Sequence, residues 1–504
     1  MSALIGLDIG TTGARALAVN AAGVVLADVS VPFPLLMPFP DWAEQHPEDW
    51  WRAAQEALRR IAAAVREAGG EEIIGIGLTG QMHGAVFLDA HDAVIRPALL
   101  WNDQRTEAQC REITERVGAA RLLAVAGNPA LTGFQAPKIL WLREAEPENY
   151  ARVASVLLPK DYIRLLLTGE RATDASDASG TLLLDVRARD WSPEILAALD
   201  IPREWLPHVY EGPEIAGRLL SSVAEALGLR SGIPVAAGGG DNAAAAIGTG
   251  VITEGIVSAS VGTSGVVFAH TDTFTPDPSG RVHAFCHAVP GAYHLMAVTL
   301  SAGGSLRWWR DTLDSDADYD ALAAAAGATP AGAEGLVFLP YLTGERTPHL
   351  DPSARGAFVG LTARHTQAHL TRAVMEGVVF SLRAGLEIMR ELGVPVGEVR
   401  ATGGGARNSL WRQLQADIFA IPVHRTVAEE GPAFGAALLG GVAAGVYRDV
   451  AEACNTVRLH SDVDAPDPAR SRIYDDTYAV YQSLYPAMRE AMHRLSALAT
   501  TVET

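Results

Sequence analysis

The sequence predicts an α/β protein built around a duplicated strand–turn–strand unit. Two observations carry that prediction. Apolar, strand-like runs alternate with longer segments of helical period, the pattern of a sheet flanked by helices. In addition, one motif occurs twice, as Asp8-Ile9-Gly10-Thr11-Thr12-Gly13 and as Ser260-Val261-Gly262-Thr263-Ser264-Gly265. The first copy lies between the apolar runs Leu4–Leu7 and Ala14–Val19. The second lies between Gly255–Ala259 and Val266–Ala269. A tight glycine turn lined with hydroxyls aims backbone N–H groups and side-chain O–H groups at one point, which suits a phosphate. Two such turns, about 250 residues apart, point to a duplicated domain that grips one polyphosphate from both sides.

The remaining elements follow in order. Asn20-Ala21-Ala22-Gly23 is the turn of the first hairpin, and a Pro-rich connector runs from Pro32 to Pro40. Glu48 to Ala68 has helical period and stops at Gly69-Gly70. Ile73–Leu78 reads as a buried strand that enters Thr79-Gly80-Gln81-Met82-His83-Gly84, with Ala85–Leu88 as the returning strand. Arg105 to about Pro207 is mostly helical in pattern and reads as an insertion or cap on the first domain. Ile233–Ala237 is a further strand that closes on Gly238-Gly239-Gly240-Asp241-Asn242, followed by a helix over Asn242–Gly248. A domain boundary is expected near residues 245–255, giving a first domain of 1–250, a second of 251–490 and a tail of 491–504, frayed from Ala497. In the second domain the strand Val399–Thr402 enters Gly403-Gly404-Gly405-Ala406-Arg407-Asn408 and the helix Ser409–Phe419. Pro432 to Tyr447 is Ala/Gly-rich and shorter than the roughly 20 residues of a membrane span, so a buried helix is expected there.

Bulk properties narrow the function. The 504 residues are 48% hydrophobic and 20% charged, an ordinary globular balance that allows about three domains. A net charge of −19 argues against nucleic-acid or anionic-membrane partners while leaving room for a small phosphorylated ligand in a local pocket. Cys110, Cys286 and Cys454 are too few and too scattered for a disulfide framework or zinc site, which favours a reducing cytoplasm. No signal peptide is evident at the N-terminus. Lysine occurs only at Lys138 and Lys160, each directly after proline, against 38 arginines. No Gly-Lys-Ser or Gly-Lys-Thr is present, which excludes a P-loop.

Several residues could do chemistry. Three glycines ahead of Asp241 let backbone approach a ligand and present the carboxylate at the sheet mouth, where it can take a proton from an attacking hydroxyl; the competing reading is a helix N-cap. Asp8 ends a strand beside the first turn, where a carboxylate holds Mg²⁺ near a polyphosphate, often through water; the competing reading is a turn-stabilising Asx residue. Gln81, Met82 and His83, together with Trp101, Asn102 and Asp103, offer amides, an imidazole, a carboxylate and an aromatic plane, a set that suits a sugar or polyol. Asn242 stands beside the base. Gly404, Gly405 and Asn408 open a helix and allow close approach of a base or phosphate.

With these residues in view, the chain resembles the FGGY carbohydrate kinases over essentially its whole length. The resemblance rests on Asp8–Gly13, Gly80–Gly84, Leu100-Trp101-Asn102-Asp103, Leu158-Pro159-Lys160-Asp161-Tyr162, Gly238–Asn242, Gly262–Gly265 and Gly344-Glu345-Arg346-Thr347-Pro348-His349. It also rests on Gly356-x-Phe358-x-Gly360-Leu361, then His369-Leu370-x-x-Ala373-Val374-Met375-Glu376. The segment Pro137-Lys138-Ile139-x-Trp141-Leu142 departs from the family pattern, with Gln135 in place of Thr, Ser or Pro and Ala145 in place of a polar residue. The resemblance implies two actin-like, ribonuclease H-like domains with an ATP cleft between them. It implies Asp241 as catalytic base, Met82-His83 as a sugar-contacting pair, and Asp8 with Asp241 at the metal. Gly10, Thr11, Thr12, Gly262, Thr263, Ser264, Gly303, Gly304, Gly404, Gly405 and Asn408 would then line the nucleotide. The implied reaction is ATP- and Mg²⁺-dependent phosphorylation of a sugar in pentose catabolism, with D-xylulose favoured over L-xylulose, ribulose, fuculose or gluconate. An actin- or chaperone-like ATPase is the alternative of a different class, and a homodimer is the assembly the resemblance suggests.

Overall fold

The structure, a computed structural model, describes residues 2–69, 72–313, 317–428 and 431–500. Two mixed sheets are built to the same plan. In the first, Val25–Pro32, Gly13–Asn20, Ser2–Ile9, Glu72–Gly80 and Pro234–Ala236 lie side by side, with Ile215–Arg218 at the edge. In the second, Tyr293–Thr299, Gly265–Thr271, Gly255–Val261, Val396–Thr402 and Val423–Arg425 lie in the equivalent order, with His283–Cys286 at the edge. Each plan is a three-stranded antiparallel meander whose first strand pairs in parallel with a later one: Ser2–Ile9 with Glu72–Gly80, and Gly255–Val261 with Val396–Thr402. The duplicated motif of the sequence is therefore the first hairpin of each sheet.

Both expected turns form there. Gly10 N–H donates to the Gly13 carbonyl at 3.1 Å, and Gly262 N–H donates to the Ser264 carbonyl at 3.0 Å. The helix Pro47–Glu67 buries Trp50, Ala54, Ala57, Leu58 and Ile61 at helical spacing, a stripe that seals the first sheet. The strand after the His83 turn, Val86–Leu88, pairs with Ser155–Leu157 and so belongs to the cap rather than to the main sheet. The cap is helical, as its pattern predicts, and reaches beyond the first sheet. Asn128 Nδ2 donates to the Ala284 carbonyl at 3.0 Å and its Oδ1 meets His283 Nδ1 at 2.7 Å, so cap and second sheet share an interface.

The Ala/Gly-rich segment forms the buried helix Gly431–Ala443, and it crosses back to lie on the first sheet beside the helix Asp241–Thr249. Glycines make this approach possible. A Cβ on Gly77 would lie 1.7 Å from the Ala436 carbonyl oxygen, and one on Gly435 would lie 1.8 Å from that of Ala244. Among the described residues, no helix is long and apolar enough to cross a membrane. The last helix, Pro468–Thr500, includes the first residues of the tail expected to fray from Ala497, and it is anchored ahead of them by buried Tyr474, Tyr481 and Met492 and by the contact of Arg355 with Ser496. Residues 501–504 lie outside the described residues.

Candidate active site

Three cavities adjoin one another: the first two draw residues from both halves, and the third from the second half alone. A cavity of about 270 Å³ is walled by Met82, His83, Trp101, Phe134, His283 and Arg346 and reaches Thr11, Asp241, Asn242 and Ser264. A second, of about 350 Å³, shares Asp241 and Asn242 with it and extends along Thr402, Gly404 and Arg407. A third, of about 500 Å³, shares Gly404 and Arg407 with the second and is lined by Gly262, Thr263, Gly303, Gly405 and Asn408. Asp241 thus stands where the first cavity meets the path to the third.

The strand end that carries Asp241 is built for close contact. A Cβ on Gly238 would fall 1.8 Å from the Leu78 carbonyl oxygen, and one on Gly240 would strike Met82. Asp241 is the first residue of its helix, with Gly240 at the cap position, and its Oδ1 accepts from Asn242 N–H at 2.7 Å and Asn242 Nδ2 at 2.9 Å. Burial raises its pKa to about 6, against the pull of those two bonds. A carboxylate so tuned is a competent proton acceptor near neutral pH. Asp8 is similar. Burial first, then the charge of Asp241, raise it to about 7, and Arg15 opposes them. Its Oδ1 is buried without a hydrogen-bond partner.

His83 shows how the site is held. Its backbone has φ 68°, the left-handed region uncommon outside glycine. Lys138 Nζ donates to the His83 carbonyl at 2.9 Å, and Gln135 Nε2 donates to the Gly84 carbonyl at 2.8 Å, so this turn is pinned from the helix Gln135–Ala145. Gln135, where the family pattern has another residue, is therefore a structural clamp. His83 Nδ1 lies 2.6 Å from the Gly180 carbonyl oxygen. A carbonyl only accepts, so Nδ1 carries the proton and Nε2 is left as an acceptor. Burial lowers the ring pKa to about 3, which keeps it neutral.

The other lysine braces the same region from below. Lys160 Nζ is buried among Asp161, Asp174 and Asp177 at 2.6, 2.7 and 3.2 Å. Asp174 caps the short helix Ala175–Ser179 and accepts from Ser176 Oγ at 2.5 Å, while Ser176 Oγ accepts from Gly240 N–H at 3.1 Å. One short buried helix thus fastens both the strand before Asp241, through Ser176, and the imidazole of His83, through Gly180.

Of the residues assigned to the sugar from sequence, Met82, His83, Trp101, Asp241 and Asn242 line the first cavity. Gln81, Asn102 and Asp103 do not. Gln81 is buried with its amide donating to Gln45 Oε1 at 3.0 Å, and Asp103 is buried against Arg105 and the Ala43 N–H. Both are committed to the packing that supports Thr11 and Trp101, whose Nε1 donates to Thr11 Oγ1 at 3.0 Å. Of the nucleotide set, Gly262, Thr263, Gly303, Gly404, Gly405 and Asn408 line the third cavity. Thr11 and Ser264 face the first instead. Gly10, Thr12 and Gly304 shape the turns: Gly304 N–H donates to the Thr263 carbonyl at 3.0 Å and Phe33 N–H to that of Thr12 at 3.2 Å. Asn408 Oδ1 caps the helix Ser409–Phe419. Phe134, His283 and Arg346, unassigned from sequence, reach the cavity only through the fold; Arg346 sits in a motif that was visible but had no role attached.

Two sheets of one plan, a polar-and-aromatic cavity, a glycine-lined cavity and a carboxylate at their junction define a two-domain, actin-like carbohydrate kinase. The chain matches the N-terminal domain of the FGGY family of carbohydrate kinases over residues 3–248 and the C-terminal domain over residues 257–444, and it belongs to that family. It is 42% identical to the xylulose kinase of Escherichia coli K12, over 97% of this chain and 99% of that one. Its structure is similar to that of the xyloylose kinase of Brucella ovis, with a TM-score of 0.91, 39% identity, and 97% and 100% of the two chains covered. It is also similar to the gluconate kinase of Lactobacillus acidophilus, with a TM-score of 0.93, 28% identity, and 98% and 99% covered.

Proposed function

We propose that this chain transfers the γ-phosphoryl group of ATP to the terminal hydroxyl of D-xylulose, forming D-xylulose 5-phosphate. The observation that carries the reading is the place of Asp241 at the junction of the two kinds of cavity, in a chain similar to xylulose kinases along almost its full length. The sugar lies in the first cavity, with Met82 and Trp101 against its C–H surface and the neutral His83 accepting from a hydroxyl through Nε2. Asp241 takes the proton of the O5 hydroxyl as that oxygen attacks the γ-phosphorus in line. The turns around Thr11 and Thr263 hold the polyphosphate between them, and Gly404, Gly405 and Asn408 border the nucleoside. Positioning and electrostatics then supply most of the acceleration. Approach of the two halves excludes water, which otherwise competes as acceptor.

A divalent cation fits the paired carboxylates. The Oδ1 of Asp8 is buried without a partner, the charge of Asp241 acts on Asp8, and both carboxyls hold their protons more strongly than is usual, a cost that a cation relieves. Among the described residues no group of three or more His, Cys, Asp or Glu could hold a metal, so a cation here would be held by these two carboxylates and not by a larger protein set. Mg²⁺ held by Asp8 and Asp241 would neutralise charge on the phosphate oxygens. The three free thiols suit work in a reducing cytoplasm. The test is ADP release across D-xylulose, L-xylulose, D-ribulose, L-fuculose and D-gluconate, with and without Mg²⁺. D-xylulose should give the highest kcat/KM by at least tenfold, and a higher value for any other acceptor overturns the assignment.

A further inference from the structure

The short helix Ala175–Ser179 lines none of the three cavities, yet bonds from this segment end on the strand of the base and on a residue of the acceptor wall. A helix of five residues cannot hold itself, so its fixity comes from outside. It is fixed at its start. Asp174 Oδ1 accepts from Ser176 N–H at 2.9 Å and Asp177 N–H at 3.1 Å, and Lys160 Nζ lies 2.7 Å from the other oxygen. Lys160 also reaches Asp177, on the helix itself, at 3.2 Å. Asp174, Ser176, Asp177 and Ser179 are all buried.

The first outgoing bond has only one possible direction. Ser176 has a single hydroxyl proton, and it goes to the Asp174 carboxylate, which already receives two N–H groups and an ammonium. The Ser176 oxygen therefore keeps its lone pairs for the Gly240 N–H at 3.1 Å. Gly240 directly precedes Asp241, so this bond fixes the peptide from which the base departs. The second bond ends on His83. Gly180, directly after the helix, has φ −75°, outside the left-handed region that favours glycine. Space calls for glycine instead. A Cβ on residue 180 would lie 2.6 Å from His83 Nδ1, 2.8 Å from its Cε1 and 3.0 Å from Met82 Cε. The bare Cα is what lets the imidazole reach the carbonyl of the same residue at 2.6 Å and keep its place on the cavity wall.

We propose that Ser176 and Gly180 are positioning residues of the acceptor site, Ser176 setting the place of Asp241 and Gly180 the place of His83. This rests on the sugar-kinase reading of the cavity. Neither residue touches the sugar; each acts through the group it holds. The two bonds serve different quantities. Misplacing a reacting group by about 1 Å costs on the order of 10²-fold in rate. Loss of an oriented contact to the acceptor weakens the ground state and the transition state alike, and so raises KM with kcat kept. A rate defect and a binding defect should thus separate between two residues of one short segment.

The experiment compares the parent with Ser176→Ala, Gly180→Ala and Ser179→Ala by steady-state kinetics on D-xylulose, titration calorimetry with ATP and a thermal melt. Ser179 is the control. Its hydroxyl lies 2.8 Å from the carbonyls of Ala175 and Ser176 and accepts from Cys286 N–H at 3.1 Å, so its removal loosens the same helix without touching Gly240 or His83. Ser176→Ala should lower kcat at least tenfold with the sugar KM within threefold. Gly180→Ala should raise the sugar KM at least tenfold with kcat within threefold. ATP affinity should stay within twofold in all three. A kcat within twofold of the parent in Ser176→Ala, a sugar KM within twofold in Gly180→Ala, or either defect reproduced by Ser179→Ala overturns the proposal. Should Ser176→Ala not fold, Ser176→Cys, similar in size but a weak acceptor, carries the comparison. Should Gly180→Ala not fold, ¹⁵N NMR of the parent locates the His83 ring proton: Nδ1 supports the Gly180 bond, and Nε2 overturns it. If the parent itself prefers another acceptor, the substrate assignment fails alone, and the variants are scored on that acceptor by the same criterion.

Discussion

Lys138 Nζ donates to the backbone carbonyl of His83 at 2.9 Å and also to that of Gly133, so a buried ammonium holds the turn that faces the acceptor. Burial lowers its pKa to about 7, the measure of what it costs to keep a cation there. Replacing it by Met leaves two buried carbonyls unsatisfied and frees a residue in the left-handed region. Lys138→Met should lose about 2–4 kcal/mol of stability and raise the sugar KM at least fivefold, with ATP affinity unchanged. Denaturant melts and steady-state kinetics check both, and a variant with parental KM would show that the ammonium is only structural.

Asp241→Asn keeps the size and most hydrogen bonds of the side chain but cannot take a proton. Its kcat should fall by about 10²–10⁴, the usual contribution of a general base, while nucleotide binding by titration calorimetry stays within a few-fold. Parental turnover in this variant would remove Asp241 from the role of base.

His294 offers a prediction about pH that is independent of the reaction. Its ring stacks on Phe268 with centroids 4.2 Å apart, and burial, opposed by the backbone of Cys286, lowers its pKa to about 3. Below pH 6.5 the unfolded chain binds a proton at this ring that the folded chain refuses, so the parent loses stability here as pH falls. Other groups titrate in the same window, so the variant difference is the quantity to read. His294→Phe should gain on the parent by about 1.4 kcal/mol per pH unit below 6.5. Urea melts at pH 7.5, 6.0 and 5.0 measure the gap; a constant gap would mean that His294 is protonated in the fold.

Gly77→Ala tests the helix that returns to the first sheet. The new methyl would meet the Ala436 carbonyl oxygen far inside contact distance, between two backbones that cannot yield separately. The variant should lose about 3 kcal/mol or more, seen as an earlier urea midpoint. A loss under about 1 kcal/mol would mean that the packing gives way more easily than this contact implies.

What the sequence made legible was local. Asp8, Asp241 and the helix Ser409–Phe419 are announced by their own neighbours: a strand end, glycines, a capping Asn408. Gln81 and Asp103 looked equally ligand-like beside Met82 and Trp101. What decides their direction is Gln45 for one and Ala43 with Arg105 for the other, and the Gln45 and Ala43 partners are remote in sequence. Phe134, His283 and Arg346 were hidden for the same reason, since each reaches the cavity from a different element. Neither the return of Gly431–Ala443 to the first sheet nor the clamp at Gln135 has a sequence signature, because both exist only as contacts between distant segments.

The burial of both lysines has a practical side. Lys138 and Lys160 are the only ε-amines in the chain, and both are fully enclosed. Acylating esters and dialdehyde crosslinkers, which attack unprotonated surface amines, find no lysine to modify on the native fold. Arrays that immobilise proteins through lysine would capture this chain poorly. Any acyl adduct at Lys138 or Lys160 in a mass spectrum would therefore time the opening of the structure around the site.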